Sequence, residues 1–133
     1  MCTFQESMHA YFDAKDENPK VVLEIGGTKR GFKKTIAALF DTGHSGSLSL
    51  PVVDLIEIGA KLSTISEVEF ADGLSKPQLF FSVKVTIDGV EKEVDAVLIE
   101  NFDAKEAIAG LELFASYVAQ IDFSKRTINF TKC

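Results

Sequence analysis

Residues 38–46 decide how the chain is interpreted, and they read Ala38-Leu39-Phe40-Asp41-Thr42-Gly43-His44-Ser45-Gly46. The chain is apolar at every position from Ile36 to Phe40, and so short a continuous run predicts a strand buried on both faces. Asp41 then leaves this strand for a tight loop, which Thr42 can brace by bonding backbone groups. Gly43 permits a close approach that a Cβ would block. The stretch therefore predicts a carboxylate at the C-terminal end of a buried strand.

The sequence on both sides of this loop is patterned mainly for β-strands. Apolar residues alternate along residues 21–25, and Gly26-Gly27 then predicts a turn. Residues 81–87 also alternate, and Asp88-Gly89 is a candidate type I′ turn. Residues 90–99 are predicted to form the second strand of this hairpin. We therefore predict a mostly antiparallel β domain.

Two short helices interrupt this pattern. The first is predicted over residues 51–62, because Pro51 suits a first helical turn and Ser49 could act near the N-cap. Its predicted core face contains Val52, Leu55, Ile56 and Gly59. The second is predicted over residues 111–117, before a last hairpin whose polar turn is residues 124–126.

The two ends of the chain contain its two cysteines. Residues 1–19 are a polar N-terminal arm, either disordered or an extra edge strand, and the domain proper is predicted over residues 20–133. Cys2 and Cys133 are interpreted as reduced thiols because the sequence predicts no signal peptide; the alternative, a bridge between them, requires that the termini meet.

Charge and hydropathy exclude several classes of protein. The 133-residue chain has a formal net charge of −6 and a pI near 4.9, so nothing in it offsets repulsion from nucleic-acid phosphates. No apolar run approaches the roughly 18 residues of a membrane-spanning helix, and the N-terminus has no apolar signal segment. The sequence alone therefore predicts a cytoplasmic protein that binds neither nucleic acid nor membrane.

Two segments resemble signatures of the retropepsin-like family, the retroviral-type, single-domain aspartic proteases. Residues 37–43 resemble its first signature, an apolar strand that ends in Asp-Thr/Ser-Gly. The family's second signature is an apolar-apolar-Gly motif at the start of a short helix. It is resembled by the segment Ile108-Ala109-Gly110-Leu111-Glu112-Leu113-Phe114. Asp-Thr-Gly alone is ordinary turn chemistry, but two signatures in order, with a helix and hairpins between them, are far more specific. Ala109 and Glu112 are mild departures from the family pattern.

The resemblance implies a closed antiparallel β-barrel with one or two short helices, forming half of a two-fold symmetric protease. Catalysis in this family needs two carboxylates, one that polarises the scissile carbonyl and one that activates a water. As is general for aspartic proteases, two carboxyls about 3 Å apart cannot easily both ionise. The chain contains one such loop, so the expected enzyme is a homodimer in which each chain contributes Asp41.

The resemblance also assigns roles to particular residues. Asp41 would be catalytic, Thr42 would make interlocking bonds across the dimer axis, and Gly43 would lie close to bound substrate. The flap over the substrate is expected at residues 70–75, with binding residues Ala71, Asp72, Gly73 and Leu74. His44, in the loop, is also among the expected substrate-binding residues. It stands where the family has small residues; it could add positive charge beside the dyad or point to solvent, and the second is expected.

Other polar residues predict no further chemistry. Two distant histidines and no usable cysteine pair predict no metal site, and the family resemblance implies no cofactor. Glu91, Glu93 and Asp95 alternate along a predicted strand and are interpreted as one solvated face.

Three functions remain open on the sequence. The first is an endopeptidase that acts on extended polypeptides. The second is a catalytically silent module that binds peptides or a protein partner, although its Asp41, Thr42 and Gly43 are all intact. The third is a structural β domain whose loop only mimics the motif. The solution mass across concentrations would separate a dissociated enzyme from a silent module.

Overall fold

The computed structural model describes residues 3–4, 9–29 and 31–132. A Cys2–Cys133 pair therefore falls outside the described residues. Among these residues, no helix is long and apolar enough to cross a membrane.

The described part of the chain is mostly β-structure, as predicted. Its strands are β1 (Thr3–Phe4), β2 (Ala10–Phe12), β3 (Pro19–Gly27), β4 (Lys33–Phe40), β5 (Leu48–Leu50), β6 (Lys61–Glu69), β7 (Ser75–Ile87), β8 (Val90–Leu98), β9 (Ile108–Ala109), β10 (Tyr117–Asp122) and β11 (Thr127–Lys132). The helix α1 covers Val52–Ile58, and a single 3-10 turn covers Leu111–Phe114.

These strands form two sheets. The larger has the order β2-β3-β4-β9-β5-β8-β7-β6, and the smaller has the order β1-β11-β10. β3 also pairs with β7, which closes a ring of strand pairings through β4, β9, β5 and β8. The predicted N-terminal arm contains β1, which pairs with β11, and β2, which pairs with β3.

Two strand pairs depart from the predicted antiparallel arrangement. β4 pairs with β9 and β5 pairs with β8, and both pairs are parallel. A parallel pair needs a long crossover connection, and long stretches of chain separate both pairs. Since these partners are distant in the sequence, local strand periodicity does not indicate how they pair.

The core is built from alternate residues of the central strands. Val21, Leu23 and Ile25 of β3 are buried, in agreement with the predicted alternation. The prediction that the apolar strand before Asp41 is buried on both faces is wrong for the single chain. Ile36, Ala38 and Phe40 of β4 are buried, but Ala37 is exposed and Leu39 is only partly covered. The pleat directs these two residues to the second face of β4, which the described part of the chain leaves partly uncovered.

Both helices are shorter than predicted. α1 ends at Ile58 because Gly59 adopts a left-handed conformation (φ 64°) and its amide bonds back to the carbonyl of Ile56. Leu55 and Ile58 form the buried face, whereas Ile56, expected in the core, is 72% exposed. No side chain in the described part of the chain caps the start of α1, so the expected N-cap role of Ser49 is also wrong.

The predicted hairpin turn at Asp88-Gly89 is confirmed. Asp88 has a φ of 53° and Gly89 a φ of 72°, and the turn joins β7 to β8. Two successive positive φ angles are typical of a type I′ turn, whose twist matches that of the flanking strands.

An aromatic cluster holds the end of β4. The ring centroid of Phe40 lies 5.2 Å from that of Phe114 and 5.3 Å from that of Phe130, both in edge-to-face geometry. Phe114 belongs to the 3-10 turn and Phe130 to β11. The residue immediately before Asp41 is therefore fixed against two other parts of the chain.

A buried lysine with two partly exposed carboxylate partners lies beside the same strand end. Lys20 is 1% exposed and lies opposite Leu39 in the β3–β4 ladder. Its ammonium donates to Glu106 and, at 2.9 Å, to Asp16. Burial disfavours the charged ammonium, but the two carboxylates outweigh this effect and raise the pKa of Lys20. These contacts tie the turn before β3 and the segment before β9 to β3, which pairs with the strand that leads to Asp41.

Candidate active site

Asp41 lies in the loop that joins β4 to β5, and the backbone of this loop orients its side chain. The amide of Gly43 donates to Asp41 Oδ1 at 2.9 Å, and the amide of His44 donates to the Asp41 carbonyl at 3.2 Å. Asp41 is partly buried, whereas Thr42 and Gly43 are exposed. A carboxylate that accepts a backbone amide in this way forms a small local turn. The loop therefore holds the Asp41 carboxylate in one orientation while its tip remains accessible.

The second signature segment is hydrogen-bonded to this loop at successive positions. The amide of Asp41 donates to Ala109 O at 3.0 Å, and the amide of Gly110 donates to Ser47 O at 2.8 Å. The amide of Leu111 donates to His44 O at 2.9 Å, and that of Glu112 to Gly46 O at 3.3 Å. The two segments that resemble family signatures are thus one structural unit, which we call the Asp41–Gly110 clasp (residues 41–47 and 109–112).

Gly110 lies at the closest approach within this clasp. A Cβ there would overlap the carbonyl oxygen of Gly46 and would lie 2.6 Å from the carbonyl oxygen of His44. Both are backbone atoms, which cannot rotate away as a side chain can. The second signature therefore needs glycine for a steric reason at this position.

His44 does not point to solvent, so that expectation is wrong. Its ring is partly buried, and Nε2 lies 3.2 Å from Oγ of the buried Ser49. A Cβ on Gly110 would come within 2.5 Å of Cδ2 of the same ring, so the ring packs directly against Gly110. The missing side chain of Gly110 provides the space that His44 occupies. Ser49, expected to cap α1, instead binds the loop.

We expect the His44–Ser49 contact to stabilise the clasp measurably. Replacing His44 with Ala, Ser49 with Ala, and both together should yield a coupling free energy of about 0.5–1.5 kcal/mol, the usual range for one net hydrogen bond. Denaturant unfolding of the four proteins measures this energy. Additive effects of the two substitutions would show that the contact contributes nothing to the stability of the loop.

The predicted flap residues lie at the tip of the β6–β7 hairpin. Ala71, Asp72, Gly73 and Leu74 are all exposed there. The amide of Leu74 donates to Asp72 Oδ1 at 2.9 Å, and Gly73 adopts a φ of 81°. The tip is therefore an ordered turn. In the described part of the chain, no hydrogen bond joins this turn to the Asp41 loop.

The structure thus groups the predicted site residues into two sets. Asp41, Thr42, Gly43 and His44 share one loop, and the four flap residues share another. Two strands that were not predicted from the sequence, β5 and β9, position Ser47, Ser49 and Ala109 around the first loop. The alternation Ser47-Leu48-Ser49-Leu50 was a detectable strand signal for β5, but a two-residue strand such as β9 has no periodicity to detect.

No group of three or more His, Cys, Asp or Glu residues that could hold a metal ion occurs within residues 9–29 and 31–132. The clasp itself supplies two carboxylates (Asp41 and Glu112), an imidazole, hydroxyls and backbone amides. Comparisons with protein-family models, with curated proteins and with solved structures found no match to this chain.

Proposed function

We propose that this chain is one subunit of a homodimeric aspartic endopeptidase of the retropepsin type. The observation that carries the proposal is the clasp: the two segments that resemble the family's signatures meet in space, and they hold Asp41 at the end of a core strand. In this proposal, the ring of strands corresponds to the β-barrel of that family. The β6–β7 hairpin corresponds to its flap.

The reaction requires two Asp41 carboxyls side by side. One, ionised, would accept a proton from a water molecule, whose oxygen then attacks the carbonyl carbon of the scissile peptide bond. The other, protonated, would donate a hydrogen bond to the carbonyl oxygen as charge develops there. Collapse of the tetrahedral intermediate breaks the C–N bond, and a proton passes from the carboxyl pair to the leaving amine. Each carboxyl returns to its starting role after release of the two products.

The surface of the single chain suits this pairing. Thr42 and Gly43 are exposed at the loop tip, where a second copy could bind them. Exposed Ala37 and partly exposed Leu39 add apolar area on the neighbouring face of β4. A two-fold axis beside the loop would bring these groups against their own copies, as an isologous interface requires.

The substrate would bind as an extended strand between the flap and the clasp. Such a segment can form backbone hydrogen bonds on both sides, while its side chains alternate between opposite pockets. The exposed side chains of Phe70 and Leu74 at the flap tip favour contact with apolar substrate residues.

The first test is how peptide cleavage depends on protein concentration. If two chains form one site, tenfold dilution below the dimer dissociation constant should lower the total cleavage rate about a hundredfold, by mass action. Cleavage of a diverse peptide mixture is measured by mass spectrometry from mildly acidic to neutral pH. Sedimentation is measured over the same concentration range.

Two other outcomes would contradict the proposal. A cleavage rate strictly proportional to concentration, from a chain that sediments as a monomer, would exclude the shared site. A stable, folded dimer that cleaves no peptide would favour the silent peptide-binding module instead.

A further inference from the structure

A groove of about 510 Å³ lies beside the clasp, on the face of β6, β7 and β8 that is opposite the core. The buried side of β8 is marked by Ala96, whereas Asp95 and Val97 lie on the groove side. Gly46 and Ser47 at the end of the Asp41 loop form another wall. The volume lies within the range of about 300–1,000 Å³ that is typical of ligand sites.

The lining combines an apolar floor with an acidic rim. Phe80 of β7 and Val97 of β8 are paired in the ladder and provide the apolar surface. Three carboxylates surround it: Glu93 and Asp95 from β8, and Glu112 from the 3-10 turn. Glu93 and Asp95 were predicted from the sequence to belong to a solvated face, and both are indeed exposed. The structure adds that they share one concave surface with Glu112.

These three carboxylates are available to a ligand. The nearest lysine in the ladder is Lys84, opposite Glu93, but its ammonium pairs with Glu91 at 3.4 Å. Within the described residues, no ion pair involves Glu93, Asp95 or Glu112. Among the described residues, the rim is therefore a negative region that no ion pair offsets, next to an apolar surface.

The combination favours a long cationic side chain over other ligands. A metal ion needs several closely converging ligands, and the described residues contain no such group. A lysine or arginine side chain matches both parts of the groove, because its methylene stem covers apolar surface while its charged end reaches polar groups. Carboxylates bind these charged ends with charge-assisted hydrogen bonds.

The position of the groove connects it to the proposed function. Thr64 and Ser66 on its flap side belong to β6, and Gly46, Ser47 and Glu112 on its other side belong to the clasp. A strand-like substrate lying between flap and clasp would pass along its opening. We propose that this groove is a subsite that binds a lysine or arginine side chain of an extended peptide substrate. The proposal rests on the proposed function, because it assumes a peptide held between flap and clasp.

The test measures binding without cleavage. The Asp41→Asn protein, at concentrations where it sediments as a dimer, is titrated with fluorescent extended peptides that differ at a single position. That position carries lysine, norleucine or glutamate and is moved along the peptide. At one position of the peptide, we expect the lysine peptide to bind about tenfold more tightly than the norleucine peptide. This difference is moderate because the charge contacts of the lysine are exposed to solvent. Glutamate at that position should bind least.

A matched pair of double variants separates the groove from the overall negative charge. Asp95→Asn with Glu112→Gln removes one carboxylate from each side of the groove, and it should reduce the lysine preference to about twofold or less. Asp103→Asn with Glu100→Gln removes the same charges from exposed residues that do not line the groove. This control should leave the preference unchanged.

Each remaining outcome is decisive for one of the two proposals. Equal loss of preference in both double variants, equal binding of lysine and norleucine at every position, or no binding of any peptide would overturn the subsite. A lysine preference in a protein whose parent never cleaves peptides would support the groove and contradict the protease. Cleavage by the parent without any cationic preference would support the protease and contradict the subsite.

Discussion

Asp41→Asn should lower the rate of peptide cleavage by about 10²–10⁴-fold, the usual contribution of a positioned acid–base group. Asparagine has nearly the same shape as aspartate, and its side-chain oxygen can still accept the Gly43 amide that now donates to Asp41 Oδ1. It cannot accept a proton from water. The substitution therefore removes the chemistry and leaves the loop in place. Cleavage products of parent and variant are compared by mass spectrometry, and their unfolding transitions should coincide.

Asp122→Asn is a closely matched control. Asp122 Oδ1 accepts the amide of Ser124 at 3.0 Å, the same two-residue turn that Asp41 forms with Gly43. Asp122 lies at the turn between β10 and β11, outside the clasp. Its replacement should leave cleavage unchanged. Equal cleavage by the parent and the Asp41→Asn protein would instead point to a contaminating protease and leave Asp41 without a catalytic role.

Mixing the two proteins tests whether both chains contribute to one site. When parent and Asp41→Asn chains are mixed in equal amounts and exchange freely, about a quarter of the dimers contain two parental chains. Activity should then fall to about a quarter of that of the same total amount of parent dimer. A fall to one half would show that each chain cleaves independently of its partner.

Gly110→Ala should be the most damaging single methyl addition in the clasp. The new Cβ would overlap Gly46 O and come within 2.6 Å of His44 O, so the backbone of the Asp41 loop must move. Overpacking of this kind typically costs about 1–3 kcal/mol. Because the displaced atoms belong to the loop that holds Asp41, cleavage should fall together with the free energy of unfolding. Denaturant unfolding and the peptide assay measure the two effects on one protein.

Gly26→Ala is the control for this substitution. Gly26 is buried in β3, but a Cβ there would meet no atom closer than 3.5 Å. Alanine should therefore change the free energy of unfolding by less than about 1 kcal/mol, and it can even stabilise the fold by restricting the unfolded chain. If Gly110→Ala unfolds at the same denaturant concentration as the parent, the close packing of the clasp is not needed for stability.

Local sequence signals predicted much of the framework around the site. The alternation along β3 and the turn at Asp88-Gly89 were read correctly, because burial on one face and two positive φ angles select residue types locally. The helix prediction failed at its C-terminal end, where Gly59 stops α1. Gly59 was interpreted as part of the apolar face, although glycine is the most common residue just after a helix.

The candidate site was predicted as two separate segments. Residues 37–43 and 108–114 were singled out by their resemblance to family signatures, but no pattern in either segment shows which atoms meet. The structure supplies the hydrogen bonds of residues 109–112 and the overlap that excludes a side chain at Gly110. The catalytic role of Asp41, the flap and the homodimer remain predictions.

By itself, the sequence determined a mostly β chain that places a carboxylate at the end of an apolar strand. Alternating burial and turn preferences act between near neighbours, so they can be read from the order of residues. Only the tertiary structure decided the parallel pairing of β4 with β9, the inward direction of His44, and the shared groove of Glu93, Asp95 and Glu112. Each of these joins residues that lie on different elements of the fold. Their contacts depend on how the ring of strands closes. The local periodicity of the sequence does not indicate which strands pair to close it.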